Sequence, residues 1–138
     1  PYYEGYPAGT QRTPFINNQS LVLKLTYGEG VMLFSGDLYT PGERDVIQAH
    51  PGELQCDVAK INHHGNGTSS GKAWRDATVP RLSVAMSEGI PDMSVLKKYA
   101  KLGEMRQTLL DGCVRVRLGA DDSLDVLTQK DRKTDLFD

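Results

Sequence analysis

Val31-Met32-Leu33-Phe34-Ser35-Gly36-Asp37 and Asp57-Val58-Ala59-Lys60-Ile61-Asn62-His63-His64-Gly65 are the two stretches whose reading decides the fold. Each is a short apolar run that stops on reactive side chains: a carboxylate in the first, two adjacent imidazoles in the second. In open α/β sheets, ligands and reactive groups collect just beyond the carboxyl ends of the strands. Neighbouring strands of this kind would bring Asp37 and the histidine pair to one cleft. Two of the three histidines of the chain lie in this one spot, which marks it as a candidate hydrolase site.

Outward from these runs, Leu21, Leu23 and Leu25 alternate with Val22, Lys24 and Thr26, the pattern of a half-buried strand. Gly28-Glu29-Gly30 then turns the chain into residues 31–34, so a hairpin is expected. Pro41-Gly42-Glu43 opens a helix near residues 42–50, with acidic residues in its first turn, and Pro51-Gly52 stops it. The glycine- and serine-rich loop 65–71 leads to a helix carrying Trp74, with Ser69 or Ser70 expected as its N-cap. Residues 81–86 read as a further strand. Val95, Leu96, Tyr99 and Leu102 repeat at helical spacing after Pro91-Asp92-Met93-Ser94, and Gly103 ends that helix.

A closing hairpin is predicted from residues 106–110 and 113–118 about Asp111-Gly112, with Arg115 and Arg117 on its solvent side. A last strand follows at 124–128. The whole reads as one domain: an irregular lead-in at 1–19, an α/β core at 20–128 and a charged tail at 129–138. The predicted fold class is α/β, with a mixed β-sheet, helices mainly on one face, and hairpins at both ends supplying its antiparallel strands.

With 138 residues, 38% hydrophobic and 25% charged, the chain suits a single globular domain. A formal charge of -2 gives no global attraction to nucleic acid or an anionic membrane. No apolar stretch approaches the roughly 20 residues of a membrane helix, so no membrane segment is expected within the chain. The first residues show no basic-then-apolar leader. Pro1 stands where a Met would, so a cut or processed end is expected. Cys56 and Cys113 lack metal-binding spacing and are expected as reduced, partly buried thiols.

Gly36 lets another group approach the backbone closely, and Asp37 offers a hard anionic oxygen at the strand end. In a regular strand adjacent histidines point to opposite faces. At a strand end, therefore, one of His63 and His64 can face the cleft while the other packs or orients it. Neutral imidazole serves as metal ligand, as general acid–base, or as both. The loop behind them resembles a phosphate-binding loop only superficially: Asn66 stands where its first glycine belongs and Ala73 where its magnesium-binding hydroxyl belongs. Backbone N–H groups with the Ser69 and Ser70 hydroxyls could still hold a phosphate. His50, at a helix end, needs no chemistry to explain it.

These residues, in this order, resemble the C-terminal half of a metallo-β-lactamase-fold hydrolase, in particular the hydrolase domain of bacterial competence (DNA-uptake) proteins. The matching pieces are Asn17-Asn18-Gln19-Ser20-Leu21-Val22-Leu23, Leu33-Phe34-Ser35-Gly36-Asp37, the stretch 57–65 with Thr68-Ser69-Ser70, and Asp111-Gly112-Cys113-Val114-Arg115-Val116. The resemblance implies half of a four-layer αββα sandwich and a divalent metal, zinc or manganese, that activates a water. It implies Asp37 as a bridging metal ligand and His63 or His64 as metal ligand (His64) or proton donor. Asn18 and Ser20 would line the cleft with Gly65, Thr68, Ser69 and Ser70 as substrate-contacting positions. Phosphodiesters, nucleic acid included, would be substrates.

That family's H-x-H-x-D-H motif is absent from this chain, and Ile90-Pro91 stands where the family carries His-Pro. The chain is therefore expected to be a piece of a larger protein, inactive alone, whose partner is the missing N-terminal half of the fold or a second copy. The alternative is a non-catalytic binding module with a degenerate site.

Overall fold

The computed structural model of the chain describes residues 12–130. Among these described residues, seven strands form two sheets. β1 (Leu23–Tyr27), β2 (Gly30–Phe34), β3 (Val58–Lys60), β4 (Leu82–Ala85) and β5 (Glu104–Gln107) lie in that order in one five-stranded sheet. β1 runs antiparallel to β2, and β2 to β5 are mutually parallel. β6 (Val114–Leu118) and β7 (Leu124–Thr128) form a separate antiparallel pair. The helices are α1 (Arg12–Asn17), α2 (Thr40–Ala49), α3 (Lys72–Thr78), α4 (Met93–Ala100) and the short α5 (Thr108–Asp111), with a 3₁₀ turn at Asn62–Gly65. The fold is α/β with a mixed sheet. Among the described residues no helix is long and apolar enough to cross a membrane.

Alternation along the parallel strands sorts the core into two faces. Leu33 and Ala59 pack with Leu38, Leu54, Cys56 and Trp74 under α2 and α3, while Ile61, Ala85 and Met105 pack with Val95, Leu96 and Tyr99 of α4. The residues between them, Val58, Leu82 and Val84, point the other way and meet Val114, Val116, Leu124 and Val126 of the β6–β7 hairpin. Helices thus cover one face and the hairpin covers part of the other. The cover is incomplete. Leu23, Leu25 and Tyr27 share one side of β1, with Phe34 of β2 directly opposite Leu23, and they remain 52%, 50%, 61% and 38% exposed in that order.

Four expectations need correction. Residues 12–17 of the supposed irregular lead-in are helical, and residues 1–11 and 131–138 lie outside the described residues. The closing hairpin is not 106–110 with 113–118. Residues 104–107 instead extend the parallel sheet beside β4, and Asp111, fully buried, turns its carboxylate back to accept the Gln107 N–H at 2.7 Å. That bond closes the single turn α5 where a two-residue hairpin was expected. The hairpin lies one step later, β6 with β7, and stacks on the sheet without joining its edge; Arg115 and Arg117 do face solvent. Neither Ser69 nor Ser70 is the N-cap of α3. Gly71 is, and the caps come from another helix, as described below. Both thiols are free, but Cys113 is exposed; Cys56 is buried, and burial pushes its thiol up to about 12.

Val79 ends α3 in the left-handed region (φ 38°, ψ 56°) and is directly followed by Pro80. For a β-branched residue this conformation is strained by on the order of 1–2 kcal/mol, and Val79 is 46% exposed, so little packing is lost on its removal. Val79→Gly is expected to stabilise the fold by about 1 kcal/mol, raising the thermal midpoint by about 3 °C. A calorimetric scan showing a lowered midpoint would contradict the strain.

Candidate functional site

The carboxyl ends of β2, β3, β4 and β5 lie side by side, so the segments that follow them share one end of the sheet. After β2 comes Gly36-Asp37, after β3 the His63-His64 turn, after β4 Met86-Ser87, and after β5 Thr108. Asp37 and the histidines do converge: His64 Nε2 lies 3.3 Å from Asp37 Oδ1. Lys60, the last residue of β3, places its ammonium 3.1 Å from the same Asp37 oxygen and 2.5 Å from the Gly36 carbonyl. The Gly36 carbonyl also accepts the His63 backbone N–H at 3.2 Å. Burial opposes ionisation of Asp37, but the Lys60 ammonium, helped by His64 and His63, outweighs it and holds the carboxyl below its usual range.

The turn that carries the histidines is left-handed throughout. His63 (φ 45°, ψ 46°), His64 (φ 56°, ψ 16°) and Gly65 (φ 85°) are consecutive. Only the glycine adopts this region freely. Two successive histidines there are strained by on the order of 1–3 kcal/mol each, and such strain persists only where the surroundings over-determine it.

Those surroundings are a buried polar network. Asn62, fully buried, donates its amide to Glu43 Oε1 at 2.7 Å and accepts the Ser35 hydroxyl on its own Oδ1. Glu43, 1% exposed on α2, also accepts the backbone N–H groups of Ser70 (2.5 Å) and Gly71 (2.9 Å), which caps α3. Burial pushes the Glu43 carboxyl up, while the donors from Gly71, Ser70 and Asn62, and the charge of Arg75, act against it. The Ser69 hydroxyl donates to the Asn62 carbonyl at 3.1 Å.

The remaining anticipated residues take different places. Ser69 and Ser70 are buried, and their hydroxyls are engaged within the protein, Ser70 Oγ with the Tyr99 hydroxyl at 3.3 Å. Asn18 Oδ1 accepts the N–H groups of Tyr39 and Gly42, and Ser20 Oγ accepts the Asp37 N–H at 3.1 Å. Both hold the Asp37 loop from behind. Gly65 is buried, and a Cβ there would meet Pro91 at 3.0 Å. Thr68, exposed, faces His63.

His63, His64, Thr68, Ser87, Ile90 and Asp92 line an open cleft of about 460 Å³. His64, Met86, Glu88 and Thr108 border a second hollow of about 530 Å³ on its other side. Burial lowers the basicity of His63, and the nearby charge of Asp37 only partly offsets this. The His63 ring is thereby biased toward its neutral form.

Lys60, Glu43, Asn62 and the Met86 carbonyl went unrecognised in the sequence. Lys60 carried a signal, a cation inside an apolar strand. Glu43 looked like an ordinary first-turn acid, and nothing local distinguished it.

No protein family's profile matches the chain. It is similar to the competence protein ComA of Neisseria gonorrhoeae, 37% identical over 71 residues, which are 51% of this chain and 10% of that protein. It is also similar to the ComE operon protein 3 of Bacillus subtilis, 34% identical over 68 residues (49% and 9%), and to the uncharacterized protein YcaI of Escherichia coli, 33% identical over 54 residues (39% and 7%). The match thus spans about a tenth of the length of these relatives, and it shows a relationship to competence proteins.

If the left-handed turn is strained, glycine should fit it better than alanine once the imidazole is gone. His64→Gly is expected to be about 1 kcal/mol more stable than His64→Ala in denaturant unfolding. Equal stability of the two would show an unstrained turn.

Proposed function

We propose that this chain is part of a metal-dependent hydrolase of the metallo-β-lactamase fold, acting on an ester or phosphodiester, nucleic acid included, in a competence-related protein. The observation that carries the reading is the donor geometry at His64. Its Nδ1 lies 2.5 Å from the Met86 carbonyl, an acceptor, so Nδ1 bears the hydrogen. Nε2 then turns toward Asp37 Oδ1, and the approach of a ring nitrogen to a carboxylate oxygen needs either a second ring hydrogen or a metal cation between them. A metal-ligating histidine typically donates its other ring N–H to a backbone carbonyl in this manner. Two donors of one tetrahedral zinc at about 2.0–2.2 Å each lie roughly 3.4 Å apart, and the observed separation is 3.3 Å. The pair fits two positions of a metal's ligand set.

Two ligands are too few. Among the described residues no group of three or more His, Cys, Asp or Glu side chains could hold a metal ion. The rest of the set is proposed to come from the other half of an αββα sandwich, or from a second copy of the chain. Either partner would also cover the exposed β1–β2 side chains Leu23, Leu25, Tyr27 and Phe34, since contiguous apolar patches of this kind mark interaction sites. The isolated chain is then inactive.

In the assembled site, a bound zinc or manganese supplies Lewis acidity and a water acidic enough to ionise near neutrality. Asp37, its ionised form favoured by Lys60, and His64 would hold it. His63 would move a proton at the cleft wall, and the Asn66–Gly67–Thr68 loop would bound the space in which the scissile group sits. A second reading, a non-catalytic binding module, draws on Ile90. It is 84% exposed on the cleft rim, an apolar surface where the resembled family carries histidine.

The test is metal analysis and phosphodiester hydrolysis on the full-length protein, with Asp37→Ala and His64→Ala. Each variant is expected to lose bound metal and at least about 100-fold in kcat/KM, as expected for loss of a metal ligand. Metal content unchanged in both variants would overturn the ligand assignment. A full-length protein that binds no metal would favour the binding module.

A further inference from the structure

We infer that Asn66 and Thr68 are positioning residues that lock the His63 imidazole as its Nδ1–H tautomer, leaving Nε2 as a free lone pair. Three contacts carry this. The Thr68 backbone N–H lies 3.2 Å from Asn66 Oδ1, which fixes the orientation of that amide with its oxygen toward Thr68. Thr68 Oγ1 lies 3.2 Å from the same oxygen and 2.9 Å from His63 Nδ1.

The threonine hydroxyl has one hydrogen to give. An amide oxygen can only accept, so the contact with Asn66 is favourable only when Thr68 donates to it. Oγ1 must then accept from His63, which puts the ring hydrogen on Nδ1. The reverse assignment would set Oγ1 and Oδ1 lone pair against lone pair at 3.2 Å.

The ring has little freedom to escape this choice. Its edge-to-face contact with Tyr39, at 4.7 Å between ring centroids, and the bond from its backbone N–H to the Gly36 carbonyl hold it on either side. Among the described residues no protein group takes Nε2. His63 and His64 therefore carry the same tautomer for different reasons, one set by a threonine–asparagine pair and the other by the Met86 carbonyl. Asn66, absent from the anticipated set of site residues, becomes the residue that decides which nitrogen of His63 can accept a proton. The use of that lone pair as a base or ligand rests on the hydrolase reading; the tautomer itself does not.

The experiment is a long-range ¹H–¹⁵N correlation spectrum of the metal-free, ¹⁵N-labelled chain at about pH 9, above the ordinary histidine range, where the two neutral tautomers give distinct two-bond patterns. His63 is expected as Nδ1–H in the unaltered chain and in Thr68→Ser, which keeps the hydroxyl. Thr68→Val and Asn66→Ala are expected to shift it to a predominantly Nε2–H population, with His64 unchanged in both. Thr68 and Asn66 are exposed, so both variants should fold, and the unmoved His64 pattern reports that they have. An Nε2–H pattern at His63 in the unaltered chain, or retention of Nδ1–H in both Thr68→Val and Asn66→Ala, would overturn the inference. Loss of the hydrolase reading on the full-length protein would leave these spectra unaltered. A wrong tautomer would leave metal binding by Asp37 and His64 standing.

Discussion

The carboxylate of Glu43 is the constraint on which the candidate site depends. It is withdrawn from solvent on α2 and gathers three N–H donors, from Asn62, Ser70 and Gly71, that belong to two different segments. An isolated buried charge is strongly unfavourable, and one with a full set of donors is tolerated because every donor would be unsatisfied without it. The arrangement is therefore all or nothing. It fixes Asn62, and Asn62 fixes the start of a left-handed turn that two histidines would not adopt unaided.

From that turn the remaining geometry follows. Ser35 meets Asn62 two residues before Asp37, so the network joins the end of β2 to the end of β3. Lys60 and the His63 backbone both reach the Gly36 carbonyl, binding the Asp37 turn to the histidine turn a second time. Asn18 and Ser20, at the far end of the β1 lead-in, close the Asp37 loop from behind. The reactive edges of Asp37, His63 and His64 are thus supported by residues that never touch the cleft. Such support keeps a site pre-organised to within fractions of an ångström.

The fold and the outline of the site were legible in the sequence where local chemistry and tertiary demand agree. The apolar runs at 31–34 and 57–61 and the helical spacing of Val95, Leu96 and Tyr99 reflect burial that the chain cannot evade. The alternation through Leu23 and Leu25, by contrast, marks the strand β1 without the half-burial expected of it, since both side chains stay about half exposed. Asp37 and the histidines stand out because strand ends collect chemistry. What could not be read was set by distant partners. Asp111-Gly112 has a hairpin turn's composition, yet the Asp111 side chain closes a helical turn and residues 104–107 find a parallel neighbour in β4. Ser69 and Ser70 have the composition of a helix cap, but Glu43, 27 residues before Ser70, does the capping. Asn66 is passed over in the sequence and Thr68 reads there as a substrate contact, because tautomer control is visible only when ring, hydroxyl and amide are seen together.

The most direct test of the buried bridge is a double-mutant cycle between Glu43→Ala and Asn62→Ala, read by urea unfolding of the chain. If the carboxylate and the amide hold the turn as one unit, the second substitution should do little harm after the first. A coupling energy of about 2 kcal/mol is then expected. Additivity of the two substitutions to within about 0.3 kcal/mol would contradict it, and with it the claim that this bridge sets the histidines against Asp37.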